Sequence, residues 1–180
     1  RLSSNGVTTL TGTLSVNPGG TTDGATVVVE QGHTLRPFQF HIQQVANMNG
    51  IVNQLGGTVD VYGNTDGEGP LRIAHYPGDA SYYHLQGGTL LVTGSASRIS
   101  LGIDGTGVWN VAAGTAMVTR IDVNGRSATG HGFLNVSGGV VRVGAGGING
   151  IVPYQATFAG GTLSALAGYS VAVTSSLSGA

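Results

Sequence analysis

The chain has no cysteine in its 180 residues. That removes disulfides and thiolate metal sites from consideration. It also has no lysine: all 7 basic residues are Arg. Charged residues make up only 8%, against roughly a quarter in ordinary globular domains. With a net charge of −1 and no basic stripe, nucleic acid is not an expected partner. No polybasic patch suggests anionic lipid. No apolar run approaches the length of a membrane helix, so membrane insertion is not expected either. The chain starts at Arg1 without Met or a signal-like segment, which points to a processed or excised piece of a longer precursor.

Glycine, by contrast, is abundant, at 33 residues. High Gly with little charge is also the composition of disordered segments, but strict apolar alternation supplies a face worth burying. That alternation comes in a recurring phrase: two apolar residues one apart, a Gly-Gly or Ala-Gly step, then Thr or Val and another apolar pair. It reads Ile51-Val52-Asn53-Gln54-Leu55-Gly56-Gly57-Thr58-Val59-Asp60-Val61 and returns from Tyr83, Trp109, Leu134 and Ala156. The second residue of the step falls at 57, 88, 114, 139 and 161, at spacings of 31, 26, 25 and 22. Such self-similarity marks a stacked, quasi-one-dimensional fold.

The repeat from Trp109 divides into three short strands. Trp109 and Val111 face one side, Ala116 and Val118 follow, and Ile121 and Val123 complete the turn. Leu134, Val136, Val141, Val143 and Ile148 take these places one repeat later, and Tyr83, Leu85, Leu90, Val92, Ile99 and Leu101 one repeat earlier. Three short strands per coil of about 22–31 residues is the arithmetic of an all-β, single-stranded parallel β-helix. Strand crossover rules favour the right-handed form. One domain, 1–180, is expected: atypical coils over 1–50, regular repeats over 51–165 and a terminal strand over 166–180. Strands are expected at Thr9 to Val16, Thr26 to Glu30 and Phe38 to Gln43, with a loop or short helix around Gln43 to Asn49. In the first regular coil either the register shifts to bring in Leu55, or Gln54 caps an interior ladder.

Gly105-Thr106-Gly107-Val108-Trp109-Asn110-Val111 and Gly132-Phe133-Leu134-Asn135-Val136-Ser137-Gly138-Gly139 resemble the autotransporter-passenger-like β-strand repeats. These are abundant in planctomycete- and verrucomicrobia-type secreted proteins. The resemblance covers roughly 51–165 and, loosely, 1–50. It implies an extracellular parallel β-helix on a bacterial cell surface, used as stalk, coat or adhesin, and brings no catalytic residue.

Three sets of residues are candidates for chemistry. Asn64-Thr65-Asp66 with Gly130-His131-Gly132 also occurs in polygalacturonase-type β-helix hydrolases. The adjacent Asp pair that glycoside hydrolysis would use there is missing, so no enzyme activity is expected. Asn64-Thr65-Asp66-Gly67-Glu68-Gly69 offers oxygens of the kind Ca²⁺ takes, but it lacks the closing Glu of an EF-hand and reads as a turn. No cofactor is expected. The five histidines lie at no metal-pair spacing.

Arg72-Ile73, Arg98-Ile99 and Arg120-Ile121 each open a third strand. If the Ile residues stack inward, Arg72, Arg98 and Arg120 form an outward column. Like charges at that spacing repel, so the column needs carboxylates, Asp104 and Asp122 being nearest, or a partner such as a neighbouring subunit or an acidic glycan. The alternative is three solvated side chains. The longest coil holds Tyr62, Tyr76, Tyr82 and Tyr83. Tyr83 occupies a core position; Tyr62, Tyr76 and Tyr82 either line a loop that binds polysaccharide or pin that loop down. The ends carry no charged cap, which points to self-association, end to end or within a longer solenoid.

Overall fold

The computed structural model describes residues 1–3, 5–16, 25–42, 46–63, 67–94, 96–123, 129–150, 154–168 and 178–179. In chain order the strands are β1 (Gly6–Val16), β2 (Ala25–Val29), β3 (His33–Ile42), β4 (Asn49–Gln54), β5 (Thr58–Asp60), β6 (Leu71–Ile73), β7 (Ala80–Leu85), β8 (Thr89–Val92), β9 (Ile99–Leu101), β10 (Thr106–Val111), β11 (Thr115–Val123), β12 (His131–Val136), β13 (Val140–Gly150), β14 (Tyr154–Phe158), β15 (Thr162–Ala165) and β16 (Ser178–Gly179). Among the described residues there is no helix, and the strands pair in parallel throughout. The chain is a β-solenoid of stacked coils.

Seven strands form one sheet in the order β16-β14-β12-β10-β7-β4-β2; this is face 1. The other nine form a second sheet that bends, with face 2 on one side of the bend and face 3 on the other. Where the corner between faces 2 and 3 is short, one strand runs through both. β11 does so with only Thr119 and Arg120 between its inward Val118 and Ile121. Where the corner is long, the strands separate, as in β5 and β6 or β8 and β9.

The interior is a set of side-chain columns fixed by register. Val27, Val52, Tyr83, Trp109, Leu134 and Ala156 stand in one column of face 1. On face 3, Phe40, Leu71, Ile99, Ile121 and Ile148 form another. Burying each such aliphatic or aromatic side chain stabilises the stack by about 1.5–3 kcal/mol, and a lone coil has no neighbour to bury it against. The glycine steps turn face 1 into face 2. Gly57, Gly88, Gly114 and Gly139 all have φ between 64° and 79°, where a side chain is strained. Their carbonyls also form a ladder: Thr89 N–H donates to Gly57 O at 2.8 Å, Thr115 N–H to Gly88 O and Val140 N–H to Gly114 O, both at 2.9 Å.

The first coils are more regular than their sequence suggests. β2 and β3 repeat the phrase, but Glu30-Gln31-Gly32-His33 adds one residue to the corner and removes the Gly-Gly mark; Gly32 still turns with φ 84°. β3 runs from His33, through a buried Pro37, instead of starting at Phe38. Gln54 does cap an interior ladder, and Leu55 stays outside, 46% exposed. The Gln54 amide donates to Thr89 O at 2.9 Å and accepts from the Tyr83 hydroxyl at 2.7 Å. That single polar rung satisfies two buried groups that would otherwise be costly. Residues 169–177 and 180 of the expected terminal strand, and residues 43–45 of the expected loop or short helix, lie outside the described residues.

Candidate functional site

Register separates the three arginines expected to form one column. Arg72 aligns with His41, Ser100, Asp122 and Asn149 on the outer side of face 3. Arg98 and Arg120 stand one residue before Ile99 and Ile121, where the coil of Arg72 has Pro70. Ile73 therefore stacks with Leu101 and Val123, and not with Ile99 and Ile121. The cause is Leu71, which takes the first inward place and pushes Arg72-Ile73 on by two residues, leaving both on their original sides of the strand.

Arg72 is not an exposed contact. It is 5% exposed, because the long corner of its own coil folds back over face 3. Glu68 in that corner sits 2.7 Å from Arg72 Nη1 and 3.2 Å from His75 Nε2. Arg72 Nε donates to Gly69 O at 3.0 Å, and the Ser100 hydroxyl donates to Glu68 O at 2.5 Å. Arg72 and Ser100 on the outside of face 3 are thus roofed by backbone and carboxylate from one corner.

Arg98 and Arg120 are brought together. Arg98 Nη1 donates to Asp122 Oδ2 at 3.0 Å, and Arg120 Nε donates to Asp122 Oδ1 at 2.5 Å. Asp122 is the carboxylate the sequence called for, and Asp104 plays no part in this cluster. Two guanidiniums on one carboxylate leave one positive charge. The Asp122 side chain is 10% exposed and that of Arg120 41%.

Beside them lies a notch of about 350 Å³. Ser97 and Arg98 form one wall, Thr119 and Arg120 the floor, and Ala145 and Gly146 the other wall. Unequal corners create it. The β11 coil passes from face 2 to face 3 with Thr119-Arg120 alone, while its neighbours use residues 93–98 and 144–147. A Cβ on Gly146 would come within 2.5 Å of Arg120 Cβ, so glycine leaves room for that side chain. The notch was missed in the sequence, although the unequal spacing of the strand-three apolar residues carries its signal.

The tyrosines do not form one loop. The Tyr62 hydroxyl donates to Leu10 O at 3.1 Å, its ring meets Phe38 edge-on at 5.5 Å, and the Arg36 guanidinium lies 5.1 Å from its centre. These contacts tie the corner to the coils below. Tyr76, 39% exposed, stacks on His75 at 4.4 Å. Tyr82 lies on the outside of face 1, its ring nearly parallel to that of His84. Tyr83 is core, and burial pushes its phenol well above the ordinary range.

Face 1 is chemically distinct. None of its strands, β2, β4, β7, β10, β12, β14 or β16, contains Asp, Glu, Lys or Arg. Its outer columns are Thr26, Ile51, Tyr82, Val108, Phe133 and Gln155, and beside them Val28, Asn53, His84, Asn110, Asn135 and Thr157. The amides form a ladder: Asn135 Nδ2 donates to Asn110 Oδ1 at 2.9 Å, and Asn110 Nδ2 to His84 Nδ1 at 3.1 Å. Partial burial lowers the His84 pKa from its ordinary 6.5.

Among the described residues no group of three His, Cys, Asp or Glu side chains could hold a metal ion. Asn64, Thr65 and Asp66 lie outside them. His131 opens β12 and is exposed. Comparisons with protein-family models, curated proteins and solved structures find no match to this chain.

Proposed function

We propose that the protein is a non-enzymatic building block of an extracellular assembly, a bacterial surface fibre, stalk or coat in which β-solenoids pack side by side and end to end. The observation that carries this reading is the charge-free face 1. Six of its rungs, at ~4.8 Å each, make a strip about 24 Å tall with an apolar column, Ile51-Tyr82-Val108-Phe133, flanked by an amide ladder. Burying such a strip against a copy of itself desolvates no ion.

The edge of β1 gives further support. Its sequence, Gly6-Val7-Thr8-Thr9-Leu10-Thr11-Gly12-Thr13-Leu14-Ser15-Val16, has no charge and no proline. Its one strand neighbour among the described residues is β3, and Val7 is 67% exposed. Long uncharged edges of this kind template further strands unless something covers them. A coil of the same chain or of a second copy would serve.

The carboxylates of face 3 fit a supporting role. Glu68 and Asp122 are both largely covered and held by guanidiniums. The surface reading joins these features to the repeat resemblance. Electron microscopy and sedimentation of the purified chain test it. Concentration-dependent filaments or sheets are expected; a monomer at every concentration contradicts it.

A further inference from the structure

From the corner notch between Arg98 and Arg120 we infer a binding site for the carboxylate of an acidic sugar, within a polyuronate-type polysaccharide. Among the described residues Arg120 engages Asp122 through Nε, which leaves its Nη1 and Nη2 uncommitted. Arg98 engages the same Asp122 through Nη1, leaving Nη2 uncommitted. Asp122 thus orients both planar groups without neutralising them. A guanidinium held in this way is preorganised to take a carboxylate by two parallel hydrogen bonds.

The space selects the rest of the ligand. About 350 Å³ is at the small end of ligand pockets, and it opens outward, across the solenoid axis, because the corner of β11 is recessed between two longer ones. The hydroxyls of Ser97 and Thr119 donate to Gly63 O and Gly94 O at 3.0 Å each, so toward a ligand they can only accept, as a sugar O–H requires. The other wall adds small apolar surface at Ala145 and Gly146, and the acid group sets the choice between charged and neutral sugars. A single net positive charge matches one carboxylate per sugar. The site does not depend on face 1, which lies on another side of the prism.

The test is calorimetric titration of the intact chain with a β-1,4-linked oligoglucuronate and with the oligoglucose of equal length, which differs only in carrying CH₂OH in place of each carboxylate. Binding of the first and not the second is expected, weakening as salt is raised. Arg120→Gln should weaken it roughly 10- to 100-fold with the circular dichroism spectrum unchanged. Arg120→Lys, which keeps the charge and loses the fork, should recover only part. Because Arg98 or Asp122 variants disturb a half-buried pair, the exposed Arg120 is the position to vary. Equal binding of both oligomers, no binding of the oligoglucuronate at millimolar concentration, or full binding by Arg120→Gln would overturn the inference. So would full competition by acetate at the oligomer's own concentration, since the sugar would then contribute nothing. Loss of self-association in Arg120→Gln, with no uronate binding by the parent chain, would instead make the notch a contact between copies.

Discussion

The strands of face 1 contain no formal charge, while those of face 3 and the corners beside it hold two ion-paired groups, Arg72 with Glu68, and Arg98 and Arg120 with Asp122. Both faces present the same kind of aliphatic interior. What differs is the outside and the corners that lead to it. Face 1 ends at a tight glycine step that repeats with little change, so its outer columns stay open and uniform. Face 3 is entered through corners of unequal length; one folds over it and supplies Glu68, and the shortest leaves a notch. In a solenoid the interior is therefore set by the repeat, and individuality is set by the departures from it.

The largest expected effect comes from destroying the corner that both faces need. Gly88→Ala puts a Cβ onto the Gly57 carbonyl at a residue with φ 75°. It should cost about 2–5 kcal/mol, combining left-handed strain with overpacking. Gly12→Ala, with nothing within 4 Å, should change the urea midpoint little.

Next is the contrast between charged and neutral polar ladders. Asp122→Asn leaves two guanidiniums on face 3 without a counter-charge and should lower stability by roughly 3 kcal/mol. Asn110→Ala on face 1 breaks a half-exposed amide ladder and should lower it by under about 1 kcal/mol. Comparable losses in chemical denaturation would erase the distinction between the faces.

Behind face 1, Gln54→Leu strands the Tyr83 hydroxyl in the core at a cost of about 1–3 kcal/mol, and adding Tyr83→Phe should return most of it. A double mutant no more stable than the single one would mean that Gln54 serves Thr89 O and not the hydroxyl.

The smallest effect is on pH. The folded-state pKa of His84 lies below its ordinary 6.5 because burial disfavours the cation. The unfolded chain then binds the proton more readily in that window. Stability is full above the ordinary value, falls as the pH drops through 6.5 toward the folded pKa, and is level below it. His84→Gln should reduce the loss between pH 7 and pH 5.5 in thermal melts. An unchanged loss would place it elsewhere.

The coil was legible because its signal is local: alternation names the inward residues, and Gly-Gly names the corner. Trp109, Val111, Ile121 and Val123 face in as the pattern requires. The coil over 25–42 was obscured because one extra corner residue replaced Gly-Gly with Gln-Gly-His. The arginine column lost Arg72 for a related reason. Arg-Ile repeats in sequence, but register is set by the apolar residue that enters the core first, and Leu71 enters before Ile73. That the arginines would take a nearby carboxylate was legible from charge, but the choice of Asp122 over Asp104 needed the register. The roof made by Glu68 was not, since it depends on how a long corner folds back. Nor did clustered tyrosines in sequence mean clustered tyrosines in space, because the coil carries Tyr62, Tyr76 and Tyr82 to different faces.

The contrast between the faces is tested most directly by placing one new charge on each of two faces and following sedimentation over a range of concentrations. Val108→Lys sets an ammonium in the apolar column of face 1; Leu91→Lys sets the same group on face 2, in register with Asp60 and Met117. The parent chain and Leu91→Lys should associate as concentration rises, and Val108→Lys should lose the side-by-side part of that association. Association of Val108→Lys equal to that of the parent chain would contradict the account.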